Sequence, residues 1–289
     1  MQSILSAHGP AAAAIAELAW VLFAGGLAVL LLVLVLTAYA VILRPAWLAR
    51  EGFVVATGIA FPVVALSLLL YYVFVVSERL GAHSNPQLRI EVVGEQWWWR
   101  VRYPQFETAN EVRIPAGKPV ELVLRSADVI HSFWVPSLAG KVDMIPGRIN
   151  RLRLVADKPG VYRGQCAEFC GGPHAKMAFH IVAETPEQFA AWSENQRQPA
   201  QKSQPLFLAR CAACHTVRGT DARGVLGPDL THVGSRASIG AGTLANNAAT
   251  LAGWIASSQH IKPGNLMPEF REFSAEELKA LAAYLESLK

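Results

Sequence analysis

Residues 18–43 and 53–76 contain no charged side chain and few polar ones. At about 1.5 Å per residue in a helix, each run is long enough to cross a hydrocarbon layer of about 30 Å. The first run has no basic start and exceeds the roughly 7–15 apolar residues of a secretory signal, so a retained membrane helix is expected. The loop between the runs, Arg44-Pro-Ala-Trp-Leu-Ala-Arg50, carries two arginines and is expected on the cytoplasmic side. Residues 1–84 then read as a two-helix transmembrane hairpin. Both its ends, and everything after Ser77, lie on the outer face.

Beyond the hairpin the period of apolar positions drops to two. Leu88, Ile90 and Val92 alternate with polar residues, as do Trp97, Trp99, Val101 and Tyr103. Val120, Leu122 and Leu124 repeat the pattern, followed by Leu152 and Leu154, then Phe179 and Ile181. Several half-buried strands between turn residues predict an all-β sandwich or barrel over residues 85–184. Thr185-Pro-Glu-Gln188 has the cap, first-turn proline and third-position glutamine of a helix start, and that helix ends near Arg197. Residues 198–205 are polar and aperiodic, as in a flexible linker, so 185–205 reads as helix and linker. Residues 206–289 form an all-α unit. Ser274-Ala-Glu-Glu277 is a capping box, and Leu278, Leu281, Leu285 and Leu288 line one face of a last helix. Between residues 224 and 264, Gly, Pro and Asn leave room for short helices only.

Composition changes this picture little. Hydrophobic residues make up 52% and charged residues 17%, an excess explained by the two membrane runs. A net charge of +4 gives no case for nucleic acid. Residues 85–184 hold 13 Lys/Arg and 10 Asp/Glu, and residues 206–289 hold 8 and 7, so neither unit has the acidic surplus that would steer in a basic partner.

The four cysteines fall in two pairs, and their neighbours argue against simple disulfides. Cys166 and Cys170 lie four apart, His174 four further on and Met177 three beyond that. Thiolates with a thioether form a soft donor set suited to copper, whereas zinc has no need of Met177. His131, after a strand, could reach the same site. Two bridging cysteines would hold two coppers close enough to share an electron, a centre that moves electrons and offers no opening to substrate. The second pair, Cys211-Ala-Ala-Cys214-His215, is the attachment motif for a covalent c-type haem, with His215 on the iron and all three residues on one helical turn. The other axial ligand must come from His232, His260 or Met267. Met267 lies in a loop, and thioether ligation raises the haem potential, which favours it; His232 and His260 are then surface or structural.

With Gly94-Glu-Gln-Trp-Trp-Trp99, His131-Ser-Phe-Trp-Val-Pro136, Asp143-Met-Ile-Pro-Gly-Arg148 and the cysteine cluster, residues 15–195 resemble subunit II of haem–copper cytochrome c oxidases. The resemblance implies a cupredoxin-like fold and a dinuclear copper centre on His131, Cys166, Cys170, His174, Met177 and the main-chain carbonyl of Glu168. It also implies a magnesium ion on the Glu168 carboxylate at the border with subunit I, and Trp97 as the residue through which electrons reach copper. The usual central residue of that aromatic run is tyrosine; here it is Trp98. The plainer reading puts Trp97 and Trp99 in the core on one strand face. Residues 206–289 resemble a class I cytochrome c, with Gly227-Pro228-Asp-Leu230 as the loop whose proline carbonyl holds the axial histidine, and the fusion resembles caa-type oxidases.

The function so implied is electron transfer in a proton-pumping terminal oxidase. Electrons would pass from an external donor such as a cytochrome c, through haem c and the copper pair, to haem a of subunit I, where oxygen is reduced to water. The oxygen-reducing site belongs to that other subunit, so no catalytic residue is expected in this chain. Subunit I, subunit III and membrane lipid are the expected partners, in a bacterial-type inner membrane with the copper and haem domains on the periplasmic face. A free-standing membrane-tethered copper/haem carrier is the alternative. A quinol oxidase subunit would lack the copper ligands, and the hairpin disfavours a nitrous-oxide-reductase-like domain. Glu51, beside Arg50, reads as an interfacial carboxylate.

Overall fold

A computed structural model describes residues 3–81, 86 and 88–289. The boundary expected between 84 and 85 lies outside the described residues. Helix α1 (Pro10–Leu43) begins with proline at its first turn and ends on Arg44 in the left-handed conformation. A short 3-10 turn leads into α2 (Glu51–Val55), a π-helical turn over Ala56–Ala60, and α3 (Phe61–Gly81). Pro62 has no N–H to offer the preceding turn, which accounts for the local widening there. Most side chains of both apolar runs are exposed, Val76 being buried, and each run is long and apolar enough to cross a membrane.

The hairpin is pinned to the β domain at its N-terminal end. His8 N–H donates to Ser137 O, Asp157 N–H to His8 O and Ala12 N–H to Leu138 O, at 2.8, 2.8 and 3.2 Å. The chain leaving α3 enters β1 (Leu88–Glu95).

Two five-stranded sheets make the sandwich. One contains β1, β2 (Trp98–Arg102), β3 (Glu107–Ala109), β5 (Val120–Ser126) and β8 (Asn150–Leu154), in the order β3-β2-β1-β5-β8. The other contains β4 (Glu111–Pro115), β6 (His131–Trp134), β7 (Val142–Met144), β9 (Gly160–Cys166) and β10 (Ala178–Glu184), in the order β4-β10-β9-β6-β7. β1 pairs in parallel with β5, and β10 with β4, so each sheet joins distant segments. The alternating positions Ile90, Val92, Leu122, Leu124, Phe179 and Ile181 all face the buried core. The aromatic run divides differently from the expected strand face. Trp99 is buried on β2 against Phe133 and Phe179, whereas Trp97 lies in the turn before β2 and only borders the core. A turn breaks the two-residue period, so Trp97 and Trp99 do not share a strand face.

Helix α4 (Pro186–Arg197) has both reciprocal bonds of its Thr185–Gln188 capping box. The segment after it is tied down rather than loose. Ala200 N–H donates to Arg218 O, His232 Nε2 bonds Gln198 O, and Tyr284 hydroxyl donates to Lys202 O. These long-range bonds correct the expectation of a free linker, which rested on composition alone. The last unit holds α5 (Pro205–Arg210), a two-residue ribbon of β11 (Ser238–Ile239) and β12 (Leu244–Ala245), α6 (Ala248–Ile261) and α7 (Ala275–Ser287). α6 is kinked at Ser257, where the backbone leaves the helical conformation, so it consists of two short helical pieces, as the composition suggested. Asn247 and Thr250 cap it reciprocally, and Leu251 and Ile255 anchor it in the core despite Gly253. α7 packs on α5 through Phe207 and Tyr284.

This unit sits against the sandwich. Arg100 donates to Val225 O (2.9 Å), Arg113 to Ser235 O (3.2 Å), Ala237 N–H to Glu111 (2.9 Å) and Ala178 N–H to Ala241 O (3.0 Å).

Candidate metal centre and haem crevice

His131 opens β6 and Cys166 closes β9, two strands paired at Phe133 and Cys166, so both residues reach one end of the sandwich. The loop from Ala167 then doubles back through a 3-10 turn (His174–Lys176) to Met177 before β10. That loop delivers the remaining donors. The Cys166 and Cys170 sulfurs lie 3.8 Å apart, and neither is in a disulfide. Around Cys166 Sγ stand His131 Nδ1 at 3.9 Å and Glu168 O at 3.2 Å. Around Cys170 Sγ stand His174 Nδ1 at 3.4 Å and Met177 Sδ at 3.8 Å. The structure therefore gathers all six donors named from the sequence, as two shared sulfurs each flanked by two outer donors. His131, Cys166, Cys170 and Met177 are buried.

Electrostatics suit a soft cation at this position. The hydrogen bond from Cys170 holds the Cys166 thiol well below its ordinary value, with His131 acting in the same direction against burial. Cys170 is driven upward, first by its neighbour Cys166 and then by burial. Two sulfurs this close cannot both ionise without a cation between them. Burial would lower the His131 pKa, but Cys166 and Asp128 outweigh it and hold the pKa above its ordinary value. Asp128, not singled out in the sequence, takes the His131 Nε2 side at 2.8 Å, which leaves Nδ1 facing the sulfurs. Its position three residues before His131 was the available signal.

The Glu168 carboxylate points away from the cluster. It lies 3.3 Å from the Lys141 ammonium, which also holds Asp143 at 2.9 Å. The Trp97 side chain touches the main chain of the cysteine loop. Its Nε1–H donates to Cys170 O at 2.9 Å, and Gln96 Nε2 donates to the same oxygen at 2.8 Å.

Cys211, Cys214, His215 and Met267 line a single cleft of about 540 Å³. The cysteine-histidine motif follows the end of α5 as a hydrogen-bonded turn, with His215 N–H donating to Cys211 O at 3.0 Å. His215 Nδ1 meets Pro228 O at 2.9 Å, which leaves Nε2 with a free lone pair. Burial, partly opposed by the Pro228 contact, keeps that imidazole's pKa low. Met267 is fixed by its own backbone: its N–H donates to Asn265 Oδ1, and its carbonyl accepts from Ser258 and Gln259, each at 2.9 Å. Among the described residues, neither other candidate ligand lines the cleft. His232 is turned toward Gln198 and His260 is exposed.

The cleft suits a flat apolar group that bears carboxylates. Leu230, Val233, Leu251, Trp254 and Ile255 form apolar walls. Arg236, fully buried there, has an Nε with no partner, an unmet donor that a carboxylate would satisfy. The same cleft is bounded by Gln96, Trp97 and Trp98 of the sandwich. Trp97 thus borders both the cleft and the cysteine loop.

Residues 102–185 match the family described as Cytochrome C oxidase subunit II, periplasmic domain, and residues 200–289 match Cytochrome c. Cytochrome c oxidase subunit 2 of Alkalihalophilus pseudofirmus is 42% identical over 211 residues, which cover 69% of this chain and 61% of that protein. The protein of the same name from Apis mellifera ligustica is 34% identical over 156 residues, covering 47% of this chain and 69% of that protein. The solved periplasmic domain of subunit II of cytochrome oxidase from Bradyrhizobium japonicum is 34% identical, covers 39% of this chain and 96% of that one, and gives a TM-score of 0.38. This chain spans 61 to 65% of the length of its first bacterial relatives.

Proposed function

We propose that this chain, which belongs to the cytochrome c oxidase subunit 2 family, carries electrons from an external donor such as a cytochrome c, by way of its own haem and copper sites, to haem a of subunit I in a proton-pumping terminal oxidase. One observation carries the reading: Trp97 lines the cleft of Cys211, Cys214 and His215, and its indole is bonded to the Cys170 carbonyl. When bound, a low-spin haem c and a dinuclear copper centre supply one-electron carriers, and oxygen chemistry belongs to subunit I.

The residues divide the work as follows. Cys211 and Cys214 would hold the haem by thioether bonds, and His215 and Met267 would ligate its iron. Pro228 O orients the His215 ring, and Arg236 meets a carboxylate of the group. His131, Cys166, the carbonyl of Glu168, Cys170, His174 and Met177 hold two coppers, with Asp128 fixing the His131 tautomer. Burial of His131, Cys166, Cys170 and Met177 keeps water from these four ligands and limits their rearrangement on electron gain, while His174 and Glu168 lie nearer the surface. Trp97 is the contact between the two sites. The Glu168 carboxylate faces subunit I and holds a magnesium ion there, with Lys141 and Asp143 as its neighbours within the chain. The apolar hairpin anchors the subunit in the membrane beside subunit I and subunit III, with the copper and haem domains on the periplasmic side.

The test is spectroscopic. Optical and EPR spectra of the purified full chain should report a low-spin haem c and a copper pair sharing one unpaired electron. A chain that binds only zinc, or whose four cysteines pair as disulfides, overturns the reading. Co-purification with a large subunit carrying haem a supports the oxidase assignment; full function of the chain purified alone favours a free-standing carrier.

A further inference from the structure

Lys262 follows the last residue of α6 and is almost completely buried, 2% exposed, in the seam between the two domains. Its ammonium donates to Trp97 O at 2.5 Å and to Gly240 O at 3.2 Å. Among the described residues it makes no ion pair with a carboxylate. A buried cation without a counter-ion is costly even when carbonyls solvate it, and a methionine would fill the same space at no such cost. Burial presses its pKa down to about 7, opposed by Cys170 and reinforced by Lys176.

The partner it chooses is the informative part. Trp97 O belongs to the turn whose two side chains, Gln96 and Trp97, both donate to Cys170 O. Lys262 therefore grips from the haem side the turn that grips the copper loop from the other. It also lines the haem cleft, as Trp97 does. Other bonds also hold the domains together across the seam, from Arg100, Arg113, Lys176, Ala178 and Ala237.

We propose that Lys262 is a positioning residue for electron transfer within the chain: its ammonium locks the Gln96–Trp97 turn to the haem domain, so that the Trp97 indole stays bonded to the copper loop. This role rests on the functional reading above and adds a residue to it. Its action is through Trp97, and it touches neither metal.

The experiment uses the complete oxidase with Lys262→Met, which keeps the volume and loses the donor, and Lys262→Arg, which keeps a cationic donor. A light-triggered reductant injects one electron into haem c. Its departure oxidises ferrous haem to ferric, and the copper pair gains that electron, so both optical bands report one transfer. Lys262→Met should slow the transfer roughly tenfold or more, as a small misplacement of a contact does, with Lys262→Arg recovering most of the rate. Hydrogen–deuterium exchange of the peptide covering residues 94–100 should rise in Lys262→Met and stay near the parent in Lys262→Arg. Unchanged haem and copper spectra in the resting protein show that each domain is folded; should Lys262→Met lose either spectrum, Lys262→Gln takes its place. An unaltered transfer rate, or unaltered exchange, in the charge-free variant overturns the role of Lys262. If the parent protein never passes the electron from haem to copper, the functional reading itself fails.

Discussion

Replacing Gly227 by alanine would put a methyl group 2.5 Å from Cε1 and 2.8 Å from Nδ1 of His215. Non-bonded carbons rest at about 3.5–4.0 Å, so the ring or the loop must yield by about 1 Å. Neither yields freely. Gly227 N–H is tied to Cys214 O at 2.8 Å, and the ring is tied to Pro228 O at 2.9 Å. If the ring retreats by that amount, the Nδ1 contact opens to about 3.9 Å and ceases to be a hydrogen bond. Overpacking of this kind costs about 1–3 kcal/mol, and the broken bond leaves two buried polar groups unmet at about 1–3 kcal/mol. Partial relaxation shares the strain, so a net loss of about 2–4 kcal/mol is expected. The assay is denaturant unfolding of the haem-loaded chain followed at the Soret band, with the haem midpoint potential measured alongside. The potential should shift as well, because the ring that ligates iron loses its orienting carbonyl. Gly253→Ala is the control. Nothing lies within 4 Å of the added methyl on α6, so that variant should be neutral or slightly stabilising. Unfolding of Gly227→Ala within about 0.5 kcal/mol of the parent, with the potential unmoved, would refute the packing argument.

Met267→His should keep the haem low-spin but lower its midpoint potential, because thioether ligation raises it; redox titration reads this, and an unchanged potential removes Met267 from the iron. Glu121 is almost fully buried against Arg89 (2.8 Å), Arg151 (2.9 Å) and Arg153 (3.5 Å). Burial alone would raise its pKa, but the arginines outweigh that and lower it below 4.5. In acid the unfolded chain binds this proton first, so the stabilisation is complete above about pH 5 and is lost as pH falls through the lowered value. Glu121→Gln should therefore be less stable at neutral pH by about 1–3 kcal/mol and show a flatter acid limb in urea titrations; parallel pH curves for the two proteins would count against the ion cluster. Deleting residues 206–289 should impair turnover at low external-donor concentration and recover as the donor is raised, since the attached domain supplies its electron at high effective concentration. Unchanged kinetics would remove the haem domain from the route.

Much of the chemistry was legible because it is local. Cys166, Cys170, His174 and Met177 fall within a dozen residues, as do Cys211 and His215, and such spacing survives any fold. The hairpin, the strands and the capping boxes at Thr185 and Ser274 were also local, written as period, length and cap. Where the signal was tertiary, the local reading failed: the segment after α4 reads as a free linker, yet its bonds to Arg218, His232 and Tyr284 hold it down. Trp97 was placed on a strand by alternation, although a turn intervenes.

What only the tertiary structure decided is everything joined across long stretches of chain. His131 meets Cys166 from 35 residues away, Trp97 meets the Cys170 carbonyl across 73, and Lys262 reaches Trp97 across 165. The pairing of β6 with β9 brings His131 to Cys166, and no periodicity along the chain encodes that pairing. The sequence by itself determined which donors exist and that two cysteines and a histidine stand on one turn. The packing of one domain on the other decided that the cleft and the sulfur cluster share the Trp97 turn, because burial and hydrogen bonding across a seam depend on shape in three dimensions.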